Sequence, residues 1–401
     1  MVELTFHIRC IARLVAFRLG RTDPPVSQAF YFMAEATTSR RRIIELDALR
    51  AMAAVNLVLF HFTHVYAVKF GYSTPLGFEW PYGAYGVEMF LVLSGFVNAM
   101  SLLRRQQPTN FLLARLIRIG PIFWIAIIAN MFLVGLAPLD GQAISTAQWV
   151  ANLTLMPALF GYECVDPVMW TLQVEMLFYL ILTSLFVSGA LRRPVITWGL
   201  LVLISLCVCP LHDGWKVAGE TGLVFQSVGL LRRLLLLDYI PLFAIGFLLY
   251  MIKTEQGPRW RNLAGIGLAV FVFHMIDHGK HNPVATALII ALVTLSAYGK
   301  IPLLRMRVFV IISSISYALY LFHNNLGCVL IHRFDQAGVP PVVAFGSVVV
   351  FSCAAALLIT TRVEQPLSAY LRKRFLDARV ARAKAASRSV DVPLSVTTGG
   401  G

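Results

Sequence analysis

The chain has 401 residues, 58% of them hydrophobic and 13% charged, and its mean hydropathy is +0.73. Soluble domains carry roughly 25% charged residues, and a soluble fold of this length has no interior large enough for so much apolar surface. Composition therefore excludes a soluble enzyme and predicts an all-α, polytopic membrane protein. The formal net charge of +14 fits basic loops that hold one face in the cytoplasm and requires no nucleic acid. The six cysteines, at 10, 164, 207, 209, 328 and 353, show neither paired zinc spacing nor a disulfide framework. They read as small buried hydrophobes.

Residues 1–39 form a basic extension without the apolar core of a signal peptide. Its opening, "MVELTFHIRCIARLVAFRLG", reads as an amphipathic surface helix. Alternatively, Met33 is the true start and the first 32 residues are untranslated. A transmembrane domain follows over 40–370. It holds about ten apolar runs of spanning length, near 45–67, 84–103, 117–137, 171–189, 195–211, 236–252, 262–277, 283–299, 308–331 and 341–361. The run at 222–235 carries Arg232 and Arg233 and reads as an interfacial or re-entrant piece. Residues 371–401 are basic and then small and polar, the composition of a disordered tail.

The loop charges orient this array. Arg40, Arg41 and Arg42 precede the first run and place its start in the cytoplasm. The inner loops then collect Arg104, Arg105, Arg115, Arg118, Arg192, Arg193, Lys253, Arg259, Arg261, Lys300, Arg305 and Arg307, while the outer loops hold only Lys69, Lys216, Arg232, Arg233, Lys280 and Arg333. This alternation follows the positive-inside rule and predicts both termini inside.

Ionisable groups inside spans are costly and so are functional candidates. In "ELDALRAMAAVNLVLFHF" (45–62), Arg50 and His61 are eleven residues apart. Eleven helical steps return to nearly one face, displaced by roughly 16 Å, so both can line one path at two depths. Asp47 is placed to pair with Arg50. The alternative is a snorkelling arginine and a buried structural histidine. Glu175, in "WTLQVEMLFYL", and His323, in "SISYALYLFHNN", come from other spans to a similar outer depth. The two histidines and the carboxylate predict an acid–base group for a hydroxyl, or else a polar network joining helices. At the inner face Arg115 and Arg118, one turn apart in "ARLIRIGPIFW", join Arg50 in a patch suited to phosphates, unless they only anchor the loop. Ser94-Gly95 in "FLVLSGFV" lets another backbone or a thin ligand chain approach. In "HMIDHGKH" (274–281) the histidine spacing permits a metal, but its position at a span end favours an interfacial role, and no metal site is expected.

Over roughly 43–370 the sequence resembles the acyltransferase-3 family, integral-membrane enzymes that acylate surface sugars. "IELDALRAMAAVNLVLFHF" resembles the family's first helix, "GVEMFLVLSGFV" its serine–glycine helix and "RLIRIGPIFW" its cytoplasmic arginine motif. "WTLQVEMLFYL", "SYALYLFHN" with Tyr317, and "VEQPL" with Glu364 resemble its later helices. Ala48, Ala51, Asn324 and Asn325 stand where the family often has glycines and a proline. The resemblance implies acyl transfer from cytoplasmic acyl-CoA, with acetyl expected, to a hydroxyl of a cell-surface or lipid-linked carbohydrate. No bound cofactor is implied, and the location is a bacterial inner membrane. In this scheme Arg50, Arg115 and Arg118 hold the donor phosphates, and the pantetheine arm passes Ser94-Gly95. His61 is the general base or briefly carries the acyl group. Glu175 and His323 orient the acceptor or tune His61, while Glu364 braces the arginines. The rival class, a transporter or flippase of a lipid-linked sugar, shares the buried charge, but the chain shows no internal repeat.

Overall fold

The computed structural model describes residues 43–379 apart from 106, 138 and 140–143. The N-terminal extension over 1–39 lies outside the described residues. A helix continues through the start of the predicted tail to residue 379, and 380–401 also lie outside. Every regular element among the described residues is a helix.

Nine of the ten apolar runs fall on one helix each, and the run over 308–331 falls on two. Helix α1 spans Ile44–Lys69, and α2 spans Tyr85–Arg105 after a short 3-10 turn. Helix α3 spans Pro108–Leu136, the short α4 Thr146–Leu153, α5 Trp170–Val187 and α6 Pro194–Val217. There follow α7 (Leu223–Leu234), α8 (Ile240–Lys253), α9 (Arg259–Ile276), α10 (Pro283–Ala297), α11 (Arg307–Phe322), α12 (Asn324–Gln336) and α13 (Pro341–Ile359). Among the described residues, six segments are long and apolar enough to cross a bilayer alone: α1, Pro81–Arg104, α3, Pro167–Val187, α6 and Pro341–Asp377. Prolines open several of these helices, where the missing N–H costs nothing.

The run expected as one straight span over 308–331 is broken. Helices α11 and α12 meet at a bend of 72° with His323 between them. The bend is held from outside the pair by Asp166. Its carboxylate accepts from the Asn324 amide at 2.9 Å and from the Asn325 backbone N–H at 3.2 Å, and Asn325 also donates to Asn130 of α3 at 2.9 Å. A polar pair at 324–325 can leave the helical path because these partners satisfy it.

Helix α8 is only 14 residues long, yet Ile240 through Met251 are all buried. It reads as hydrophobic all round because it is the centre of the bundle, packed on α2, α6 and α9. Contact with α2 is backbone to backbone. A Cβ on Gly95 would lie 2.2 Å from the Phe243 carbonyl oxygen, and one on Gly246 would lie 1.9 Å from that of Val92. Gly95 thus serves helix packing, the first of the two uses expected of it, and its bare face is filled by α8 and not by a ligand chain. On α1, buried Ala48, Ala51, Ala53 and Ala54 form the small surface on which neighbouring α2 and α11 pack. Arg232, at the end of α7, lies between Asp213 at 2.6 Å and Asp238 at 2.5 Å, which neutralise it.

Candidate active site

Two chambers lie side by side between α1, α2, α5 and α11. The first, of about 90 Å³, is lined by Arg50, Ser94, Arg118, Glu175, Tyr179 and Tyr317 among others. The second, of about 400 Å³, is lined by His61, Glu88, Trp170, Tyr239 and His281. Val87, Leu91 and Tyr320 border both and form the wall between them.

The arginine chamber gathers charge from four helices. Arg50 pairs with Asp47 at 3.5 Å, one turn earlier on α1. Arg118 comes from α3, and Asp47, Glu175 and Glu364 are the carboxylates whose charge acts on it. Glu364 is fixed by the Thr360 hydroxyl at 3.2 Å, in a π-helical turn that extends α13. Arg115 is close enough to repel Arg50 and Arg118, but it does not line the chamber. Its guanidinium lies 5.4 Å from the Phe111 ring centre and 5.7 Å from that of Tyr179, a stacked arrangement that holds an arginine with little water. Tyr317 donates to the Ile119 carbonyl at 3.0 Å and ties α11 to α3.

Glu175 belongs to this chamber and not to the histidines, where sequence depth had placed it. Its carboxylate accepts from Tyr179, one turn along α5, and from the Ser94 hydroxyl of α2 at 3.4 Å. Ser94 in turn accepts from Asn98 at 2.8 Å. The helical face that carries Tyr179 turns Glu175 toward α2 and the arginines. Depth along an axis is legible from sequence, whereas the face depends on which helices are neighbours.

The histidines meet as a pair. His323 is 1% exposed, and its Nδ1 lies 2.9 Å from the Tyr320 carbonyl and 3.1 Å from that of Leu319. A carbonyl only accepts, so Nδ1 carries the proton and Nε2 is an acceptor. That Nε2 lies 3.2 Å from His61 Nδ1, which also lies 2.7 Å from the Leu57 carbonyl. Both partners of His61 Nδ1 accept, so Nδ1 bears the proton of the neutral ring. Nε2 of His61 is then the basic nitrogen at the second chamber. A π-helical turn begins at His61 and runs to Val65; such turns recur at functional sites.

Sequence reasoning missed three contributors. Tyr320 donates to the Val168 carbonyl at 2.7 Å and meets the Thr171 hydroxyl at 2.5 Å, which fixes the dividing wall. Glu88 is buried and lines the histidine chamber; as a carboxylate within the second apolar run it carried the same signal as Glu175. Asp166 gave no signal, since it sits in a loop and matters only through the bend that it holds. In "HMIDHGKH", His278 pairs with Asp213 at 3.3 Å and His281 with Asp277 at 2.5 Å. Among the described residues no group of three or more His, Cys, Asp or Glu side chains is arranged to hold a metal.

The family model described as "Acyltransferase domain", that of acyltransferase-3, matches residues 43–361. The chain is 28% identical over 259 residues to the exopolysaccharide production protein ExoZ of Rhizobium meliloti (strain 1021), covering 62% of this chain and 78% of that protein. It is 26% identical over 312 residues to Nodulation protein 10 of Rhizobium leguminosarum bv. viciae, covering 69% and 81%. No solved structure gives a significant match.

Proposed function

The chain belongs to the acyltransferase-3 family and is an integral-membrane O-acyltransferase; we propose that it moves an acyl group, acetyl in the simplest case, from cytoplasmic acyl-CoA to a hydroxyl of a cell-surface or lipid-linked carbohydrate. A carbohydrate acceptor is supported by the similarity to an exopolysaccharide production protein. The donor assignment is supported by the arginine chamber, whose guanidinium groups suit phosphates. The loop charges support a cytoplasmic orientation of that chamber with both termini on the same side, and the membrane in this reading is a bacterial inner membrane.

The observation that carries the proposal is the His61–His323 pair beside the wall that faces Arg50 and Arg118. His61 Nε2 removes the proton of the acceptor hydroxyl as its oxygen attacks the thioester carbonyl. The carbon–sulfur bond breaks, the sulfur leaves as the thiolate of CoA, and the proton from His61 returns to it. The products are the ester and free CoA thiol, and no outside oxidant or reductant is needed. As His61 takes the proton it becomes cationic, with its Nδ1–H directed at the lone pair of His323 Nε2 and at the Leu57 carbonyl. Both interactions strengthen when the charge forms, so they favour the transition state over the resting state. Glu175 and Tyr179 balance and orient the arginines, and Asp47 and Glu364 flank them. Ser94 fixes Glu175, while Gly95 lets α8 support that face.

The test is thioester consumption by the purified chain in proteoliposomes, with mass spectrometry of surface polysaccharides from a deletion strain. Acyl-CoA-dependent release of free thiol and loss of an acyl mark from the polysaccharide are expected. A transporter releases no thiol. Full transfer by well-folded His61→Ala and Arg50→Ala variants would sink the assignment.

A further inference from the structure

Across the histidine chamber from His61 stands a second polar group that the transfer step does not use. Glu88, on α2, is 3% exposed. Its Oε2 accepts from the Thr286 hydroxyl of α10 at 3.1 Å, while its buried Oε1 has no hydrogen-bond partner. His281 Nε2 lies 3.6 Å from that oxygen, beyond hydrogen-bond length. The other ring nitrogen of His281 is held by Asp277 at 2.5 Å. A buried carboxylate oxygen without a donor is costly to the fold, so its retention inside a chamber calls for a donor that arrives from outside. Glu88 and His281 border the same space as His61, Trp170 and Tyr239.

The chamber also has an approach. His281, Tyr239 and Phe273 are shared with a wider cleft of about 1130 Å³, which is lined by Asp213, Arg232, Asp238, Asp277, His278 and Lys280. This charged vestibule lies beside the apolar bundle, and its route into the chamber passes His281. A polar molecule entering that way meets His281 and Glu88 before His61, with the Trp170 and Tyr239 rings, tilted against each other at 5.3 Å, in the wall. Aromatic faces and carboxylates are the usual surroundings of a sugar ring, whose C–H face packs on the rings while its hydroxyls donate to the carboxylate.

We propose that Glu88 and the Asp277-oriented His281 form the acceptor-binding site, in which Glu88 Oε1 accepts a hydroxyl of a sugar ring entering through the vestibule past His281. This inference rests on the acyl-transfer reading for what happens to the sugar afterwards, but not for its binding. Glu88 accepts from one hydroxyl while a neighbouring hydroxyl reaches His61, so the site selects which position is acylated.

The probes are cellobiose and N,N′-diacetylchitobiose, added without donor to the full chain in lipid nanodiscs and followed by intrinsic tryptophan fluorescence. Permethylated cellobiose, which has no hydroxyl to donate, is the control. Wild type is expected to bind at least one free sugar and not the permethylated one. Glu88→Gln, which turns one oxygen into a donor, and His281→Asn are each expected to weaken that binding tenfold or more. If Glu88→Gln fails to fold, His281→Asn, at a more exposed position, carries the test. Wild-type binding strength in the variants, or no binding of either sugar by wild type, overturns the proposal. Sugar binding without thioester consumption refutes the acyl-transfer route and leaves this site standing. Thioester consumption with sugar binding indifferent to Glu88 and His281 refutes the site and leaves the reaction standing.

Discussion

Replacing His323 separates the base from the group that supports it. In the neutral pair both nitrogens of His323 are engaged, Nδ1 by the Tyr320 and Leu319 carbonyls and Nε2 by His61, so it has no lone pair for a substrate. His61 has one, on Nε2. In the proposed mechanism, removing His61 removes the general base, which contributes about 10²- to 10⁴-fold. Removing His323 leaves the Leu57 carbonyl at 2.7 Å, enough to keep the proton on His61 Nδ1 and the ring in its working tautomer. What is lost is one hydrogen bond to the imidazolium that forms during transfer. A hydrogen bond to a charged group contributes about 1.5–3 kcal/mol, which is about 10- to 150-fold in kcat.

The expected result for His323→Ala is therefore a kcat lowered by about 10- to 150-fold, with KM for donor and acceptor within about twofold. His323→Gln, whose amide oxygen can accept from His61 Nδ1–H, recovers part of the loss. His61→Ala falls further than either. The assay is thiol release from acetyl-CoA in proteoliposomes, on variants that elute as monodisperse protein. If His323→Ala loses more than His61→Ala, His323 is the base and the tautomer argument is wrong. If His323→Ala loses nothing, the 3.2 Å contact has no catalytic value.

Arg118→Ala removes one of the two arginines that line the arginine chamber and is expected to raise donor KM tenfold or more with acceptor KM unchanged, measured in the same assay. Gly95→Ala forces a methyl to 2.2 Å from the Phe243 carbonyl, and overpacking of this kind costs about 1–3 kcal/mol or more. Its melting temperature in detergent should fall by several degrees, while Gly267→Ala, with nothing within 4 Å of the added methyl, should melt like wild type. Burial raises the Asp166 carboxyl from 3.8 to about 6, so at pH 4 and below it is neutral both folded and unfolded, and as pH rises to 6 the unfolded chain alone gains by ionising. The group therefore weakens the fold by about 3 kcal/mol by pH 7, and melting curves should show wild type gaining more than Asp166→Asn when pH is lowered from 7.5 to 5.

The sequence was most informative where the physics is one-dimensional. Apolar length placed a helix at all ten runs, and spacing put Arg50 and His61 on one face of α1, where each now borders a chamber. It was silent where a residue's meaning comes from its neighbours. Glu175 was read at the correct end of α5 but assigned to the histidines, because nothing along the chain says that Ser94 of α2 faces it. The straight span over 308–331 hid a 72° bend, since α11 and α12 are apolar enough together to pass as one helix and the stabilising carboxylate, Asp166, lies some 160 residues away. Gly95 stood equally for a ligand path and a helix contact until α8 was seen against it. Glu88 was within reach, because a carboxylate in an apolar run is costly wherever it occurs.

The wall between the chambers explains why the charges and the histidines are kept apart. A pocket that encloses a drug-sized ligand runs to about 300–1,000 Å³, and the arginine chamber has about 90 Å³, so the donor's arm enters only if the lining moves. Val87 and Leu91 have no polar group with which to conduct water across the wall, and the phenol of Tyr320 is held by Val168 and Thr171. In the proposed mechanism this wall would separate water in the histidine chamber from a thioester held on the arginine side. The carbonyl must nevertheless come within about 3–3.5 Å of the attacking oxygen, and the shortest way between the chambers is past Tyr320. Tyr320 also supplies, through its backbone carbonyl, the acceptor that fixes the His323 ring. On the proposed route, only a shift of the Tyr320 backbone, and not of its ring alone, would reach the carbonyl that fixes the His323 ring.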